Sequence, residues 1–233
     1  MKWSIEKGVI IDALNNVTKA LSQRTTIPVL NGIVFDVSEK GIELMASDTE
    51  LTIKVMIEEK DIKYLEGSGK IIIQSKYFLD MIRKMPADVI DFEIEDNLKI
   101  KISTPNNQYR LNCYNPMDYP NINMERGSDA INIKASVLRE IINQTSYALS
   151  TQEVRPLLTG INLKINGDIL ECIATDSYRL SKKNIKLDSP VEKLVNIVIP
   201  GRSITELEKI ISDDEDVEIH VFTNKILFIY KNI

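Results

Sequence analysis

The chain repeats itself, and the period is that of a whole domain. The stretch ALSQRTTIPVLNGI, beginning at Ala20, returns as ALSTQEVRPLLTGI, beginning at Ala148. At this offset (148 − 20 = 128), Ala20, Leu21, Ser22, Pro28, Leu30, Gly32 and Ile33 meet identical residues at Ala148, Leu149, Ser150, Pro156, Leu158, Gly160 and Ile161. The register holds as far as Asp48 in ASDTEL, which falls on Asp176 in ATDSYRL. Farther along, KIIIQSKYFLDMI from Lys70 aligns with NIVIPGRSITELEKI from Asn196, now at an offset of 126 (196 − 70). Solenoid repeats run to about 20–50 residues, so a period this long is one domain duplicated. A chain of 233 residues has room for two such domains.

Each copy reads alike. A short strand (Trp3–Ile5; Ile131–Ile133) leads into a helix with one apolar stripe. That stripe is Val9, Ile10, Ala13, Leu14, Val17 and Leu21 in the first copy, and Val137, Leu138, Ile141, Ile142 and Leu149 in the second. Alternating runs such as GIVFDV, GIELMAS and LTIKVMI predict strands. A second helix is expected after Ser75 and after Ser203, each read as an N-cap, burying Tyr77, Phe78, Met81 and Ile82 or Ile204, Leu207, Ile210 and Ile211. A meander closes the unit: VIDFEIED, a turn at Asp96-Asn97, LKIKIS, a turn at Asn106-Asn107, and QYRLNCY. The fold class is α+β, a tandem pair of domains each with two helices packed on antiparallel sheets. The stretch NPMDYPNINMERGSDA (residues 115–130) is rich in Pro, Asn and Gly and carries no periodicity. The expected domains are therefore 1–120 and 131–233, with a linker at 121–130.

The second copy ends on KILFIYKNI, which matches the next-to-last strand of the first. A counterpart of QYRLNCY would begin near residue 236 (108 + 128), which leads us to expect a fragment of a longer protein, incomplete at the end of its second domain.

Composition narrows the function. Hydrophobic residues make up 43% and charged residues 27%, and the formal charge is −5, so no global basic field advertises nucleic-acid binding. Any such binding has to come from a local stripe. Cys113 and Cys172 stand alone in apolar runs and, with the single His220, complete no familiar zinc spacing, so neither metal nor cofactor is expected and the thiols read as reduced, in a cytoplasmic protein. The N-terminal MKWSIEKGVII is too charged for a signal peptide. No run reaches the roughly 18 apolar residues of a membrane helix.

ATDSYRL crowds an acid, two hydroxyls, a phenol and a guanidinium into five successive residues. A hydrolase using Asp176, Ser177 and Arg179 would need a base beside Ser177, and the sequence has neither a G-x-S-x-G elbow nor a second histidine. As a turn, Thr175-Asp176-Ser177 is apt, and the first copy has Ser47-Asp48-Thr49 in its place, so the Asp reads as structural in both. The copies diverge immediately afterwards, at Tyr178-Arg179 against Glu50-Leu51.

The order and spacing of RxxIPxLxGI, ASDxEL, MDYPN and ATDSYRL resemble the bacterial sliding clamp, the β subunit of DNA polymerase III, over all 233 residues. Members of that family have three such domains, and this chain resembles the first two. The resemblance implies the DNA-clamp fold and a head-to-tail homodimer whose six domains form a ring around duplex DNA. It also implies non-enzymatic tethering, in which the polymerase III alpha subunit, the clamp loader and repair proteins are held through short linear motifs. Arg155, Leu158, Thr175, Ser177, Tyr178, Arg179 and Leu180 match the family's peptide groove, where some members carry glycine in place of Ser177 and histidine is common in place of Tyr178. Arg24 and Gln152 match positions that approach DNA, with Arg83 and Arg139 among a scatter of helix cations (Lys7, Lys19, Lys76, Lys84, Arg202, Lys209) suited to the same role. Lys76, Tyr109 and Leu111 match positions on the dimer edge. A two-domain, trimeric clamp of archaeal or eukaryotic type is the alternative.

Overall fold

The computed structural model describes residues 1–22, 25–96, 98–212 and 215–233, without the side chain of residue 96. The chain divides into two compact units, Met1–Ile122 with Asn232–Ile233, and Asn123–Lys231.

In the first unit, β1 (Lys2–Glu6) runs directly into α1 (Lys7–Val17). Then come β2 (Gly32–Ser38), β3 (Gly41–Ser47), β4 (Thr52–Glu58), β5 (Ile62–Glu66) and β6 (Gly69–Gln74). After these follow α2 (Phe78–Lys84), β7 (Val89–Asp96), β8 (Lys99–Thr104) and β9 (Asn107–Tyr114). Nine strands line up in the order β4-β3-β2-β6-β9-β8-β7-β1-β5. The last strand of the meander closes the arrangement, pairing with β8 through Asn107–Asn112 and with β6 through Cys113 and Tyr114. Alternation explains why these runs are strands: in β8, Ile100 and Ile102 are buried while Lys99 faces water. The core is aromatic. Trp3 stacks on Phe92 at 5.1 Å and near-parallel (5°), and Phe35 and Phe78 meet edge to face at 5.8 Å.

In the second unit, β10 (Ile131–Lys134) leads into α3 (Ala135–Ser146), followed by β11 (Gly160–Thr175), β12 (Leu180–Pro200), α4 (Gly201–Ile210), β13 (Asp216–Val221) and β14 (Ile226–Ile229). The three-stranded sheet runs β10-β13-β14, and β11 pairs antiparallel with β12. The core here is aliphatic, built on Leu138, Ile141, Ile142, Ile161, Leu163, Ile204 and Ile219. Residues read as linker are tied to this unit: Lys225 Nζ donates to the Asn123 carbonyl at 2.6 Å, and Lys193 pairs with Asp129 at 3.0 Å.

Several local expectations need correction. Neither serine caps a helix: the Ser75 hydroxyl donates to the Asn31 carbonyl at 2.6 Å, and Ser203 lies inside α4, which starts at Gly201. Gly201 fits there because a Cβ would stand 2.4 Å from the Thr159 carbonyl oxygen. Tyr77 is 68% exposed, not buried, since only Phe78 and Ile82 of α2 reach the core. The second meander turn falls one residue early, because Thr104 already pairs with Asn107. Asn97, of the first meander turn, is outside the described residues. The copies also differ: where the first has separate strands, β12 is continuous over 21 residues. It bypasses Pro190 with a bulge between the pairs Ile169–Lys186 and Gly167–Val191, since proline cannot donate to a ladder.

Candidate peptide-binding surface

β11 must reverse into β12 within four residues, and Asp176 organises the reversal. Its Oδ1 accepts hydrogen bonds from the backbone N–H groups of Tyr178 and Arg179, both at 3.0 Å. These two donors, with the Arg179 guanidinium behind them, hold the carboxyl below its ordinary range. The Ser177 N–H donates to Thr175 Oγ1 at 3.2 Å, and that hydroxyl donates to the Arg179 carbonyl at 2.7 Å. The first copy builds the same turn. Asp48 Oδ1 accepts from the N–H groups of Glu50 (3.2 Å) and Leu51 (2.9 Å), and Ser47 Oγ accepts from Thr49 N–H (3.3 Å). The Asp is a turn-former in both repeats, as its shared position suggests.

What differs is what the turn presents. Tyr178 is 97% exposed, and Leu180 is exposed beside it. Arg179 is fixed from two sides: its Nε lies 3.1 Å from Asp176 Oδ2, and its guanidinium sits 5.9 Å from the centre of the Tyr147 ring. Arg155, from the loop before β11, donates from Nη1 to Ser177 Oγ at 3.2 Å. Leu158 follows in a short 3₁₀ turn (Pro156–Thr159), where its N–H donates to the Arg155 carbonyl and its own carbonyl accepts from Ser150 N–H. Arg155, Thr175, Ser177 and Arg179 are thus linked by hydrogen bonds on one loop system, with Tyr178 and Leu180 on the same turn. Sequence reasoning missed three neighbours, Tyr147, Val154 (86% exposed) and Leu157 (74% exposed). The signal was available in the polar loop STQEVRP, where Val154 has no apolar periodicity to account for it.

The groups on this surface suit recognition. Ser177 Oγ is engaged by a guanidinium, which cannot take its proton. The one histidine, His220, is buried with Nε2 2.6 Å from Glu218 Oε1. Both cysteines are buried, which pushes their thiols up to about 12. Exposed apolar groups ringed by fixed guanidinium and hydroxyl groups suit an extended peptide.

The other expected positions are scattered. Arg24 lies outside the described residues. Gln152 is exposed, its N–H donating to Ser150 Oγ at 3.1 Å. Arg83 Nη2 donates to Asn15 Oδ1 at 2.6 Å, and Arg139 Nε lies 3.7 Å from Glu208 Oε1. Lys76 sits 5.1 Å over the Tyr77 ring. Tyr109 and Leu111 pair with Ile102 and Ile100 of β8, on the side of β9 that faces the core. Tyr109 is nonetheless exposed there.

Two tandem α+β units, each with two helices on antiparallel strands and each carrying the same Asp turn, define a DNA-clamp fold. The model of the DNA polymerase III beta subunit N-terminal domain matches residues 1–123, and that of its central domain matches residues 132–233. The chain belongs to the DNA polymerase III beta subunit, or sliding clamp, family. The beta sliding clamp of Bacillus subtilis is 36% identical over 238 residues, covering 100% of this chain and 63% of its own length, and that of Staphylococcus epidermidis is 35% identical with the same coverage. The chain thus spans about two thirds of the length of these relatives. Among solved structures, the Bacillus subtilis clamp superposes with a TM-score of 0.95 at 36% identity, covering 100% of this chain and 62% of its own. A Pseudomonas aeruginosa clamp bound to griselimycin gives 0.89 at 25%, covering 97% and 61%.

Proposed function

We propose that this chain is the first two domains, 1–120 and 131–233 joined by 121–130, of a cytoplasmic, non-enzymatic processivity clamp for DNA replication. In the full-length protein it works as a ring-shaped homodimer that encircles duplex DNA without reading sequence. It tethers the polymerase III alpha subunit, the clamp loader and repair proteins through short linear motifs. The observation that carries this reading is the exposed turn at Thr175–Leu180. The Asp network alone would suffice for structure, yet the second repeat adds Tyr178, Arg179 and Leu180, which the first lacks, and braces Arg179 against Asp176 and Tyr147. Such an expensive arrangement of exposed apolar groups suits a partner. Arg24, Gln152, Arg83 and Arg139 are the DNA-facing groups in this reading, and Lys76, Tyr109 and Leu111 the dimer edge.

The test is fluorescence anisotropy with a labelled peptide carrying a Gln and two apolar anchors. Tyr178→Ala and Arg155→Ala should each weaken binding by roughly fivefold or more, the effect of losing about 1 kcal/mol. Unchanged affinity in both variants would refute the assignment.

A further inference from the structure

Three of the helix cations, Arg83, Arg139 and Lys209, face acids on their own surface, and part of the arrangement is duplicated. On α2, Arg83 Nη1 lies 3.8 Å from Asp80 Oδ1, three residues earlier. On α4, Lys209 Nζ lies 2.8 Å from Glu206 Oε1, also three residues earlier. The pairs coincide at the repeat offset of 126 (206 − 80; 209 − 83). The first helix of each unit contributes an asparagine to the same surface, Asn15 and Asn143, at the offset of 128. Asn15 Oδ1 accepts from Arg83 Nη2 at 2.6 Å, and Asn143 Nδ2 lies 3.4 Å from Glu208 Oε1, the oxygen that faces Arg139 Nε at 3.7 Å. Beside it on α3, Glu140 Oε1 accepts from Lys183 Nζ at 2.8 Å and from Gln144 Nε2 at 3.1 Å. A surface built for tight phosphate contact would leave its cations free to reach the backbone. Here each of the three, Arg83, Arg139 and Lys209, has an acid within 4 Å.

We propose that Asp80, Glu206 and Glu208 are affinity-limiting residues that restrain Arg83, Lys209 and Arg139 and so hold the helix surfaces to weak, salt-sensitive contact with duplex DNA. This rests on the reading that duplex DNA is the ligand of those surfaces. The physics has one sign: a cation that must leave its carboxylate to meet a phosphate gains only the difference between the two contacts. Removing the acid restores the full gain and the associated counterion release. The device would let a protein stay on DNA by encirclement while the helices pass along it without holding on.

The experiment is a double-mutant cycle on the 233-residue chain, with binding to a mixed-sequence 30-base-pair duplex followed across salt concentration. Glu208→Gln, Glu206→Gln and Asp80→Asn should each tighten binding, by about threefold at low salt, and the triple variant should steepen the slope of log K against log salt by up to ~0.9 per released cation. Glu208→Gln combined with Arg139→Ala should lose the gain. If Arg139→Ala weakens binding but none of the acid substitutions strengthens it, the affinity-limiting role is wrong while the DNA reading stands. If the wild-type chain and the triple acid variant alike show no salt-dependent binding, the DNA reading of these surfaces fails and this inference with it. Circular dichroism of each variant separates a charge effect from unfolding.

Discussion

Thr49 and Ser177 stand 128 residues apart and share one backbone conformation, with φ of +83° and +79°. Each is the residue after the turn-forming Asp of its repeat. Left-handed backbone costs an L-residue about 1–2 kcal/mol, and a β-branched residue such as threonine is especially unsuited to it.

Thr49→Gly should therefore stabilise the first unit by about 0.5–1 kcal/mol, the relief of strain exceeding the extra chain entropy that glycine loses. Trp3, the only tryptophan, lies in that unit's core, so its fluorescence during urea unfolding reports the change directly. Ser177→Gly should likewise keep the turn. It also removes the acceptor for Arg155, so beside the same relief of strain it should lower peptide affinity.

Gly32 and Gly160 are the matching glycines that open β2 and β11. A Cβ at Gly160 would stand 2.6 Å from the Ile199 carbonyl oxygen, which belongs to the paired backbone of β12. Gly160→Ala should cost about 1–3 kcal/mol, because relief requires the two strands to part. Thermal unfolding by circular dichroism measures it.

Trp3→Ala should be the most damaging single truncation in the first unit, at about 3–5 kcal/mol, since it removes the ring that stacks between Phe92 and Phe35. Trp3→Phe should cost less, because the buried indole Nε1 has no hydrogen-bond partner to lose among the described residues. Chemical denaturation followed by far-UV circular dichroism compares the two.

Acid should weaken the first unit before any change in its core. Glu93 sits between Lys2 (2.6 Å) and Lys101 (2.9 Å), in register across β1, β7 and β8, and these ammonium groups lower its carboxyl from 4.5 to about 2. The folded value is depressed, so the stabilisation is complete above pH 4.5 and is lost as pH falls towards 2. A stability profile across that window should flatten in Glu93→Gln, and an unchanged profile would contradict the pairing.

Most of the architecture was legible because duplication supplied two readings of one pattern. Strand alternation placed β2, β3 and β4, and the shared Asp identified the turn. The unreadable parts depended on distant partners. Ser75 has the chemistry of a cap, but its hydroxyl is taken by Asn31, 44 residues away. Arg83 and Arg139 look like free helix cations until Asn15 and Glu208 are brought beside them, 68 and 69 residues off. Local chemistry announces what a side chain can do, while the fold decides which partner reaches it first.

The most direct test of the account maps peptide contact on the ¹⁵N-labelled chain by chemical-shift perturbation. Adding a peptide with a Gln and two apolar anchors should shift the amides of Val154, Leu157, Leu158 and Thr175–Leu180, and leave Asp48–Leu51 of the first repeat unmoved. Shifts confined to other surfaces, or equal shifts at both Asp turns, would contradict the claim that the second repeat alone carries the peptide wall.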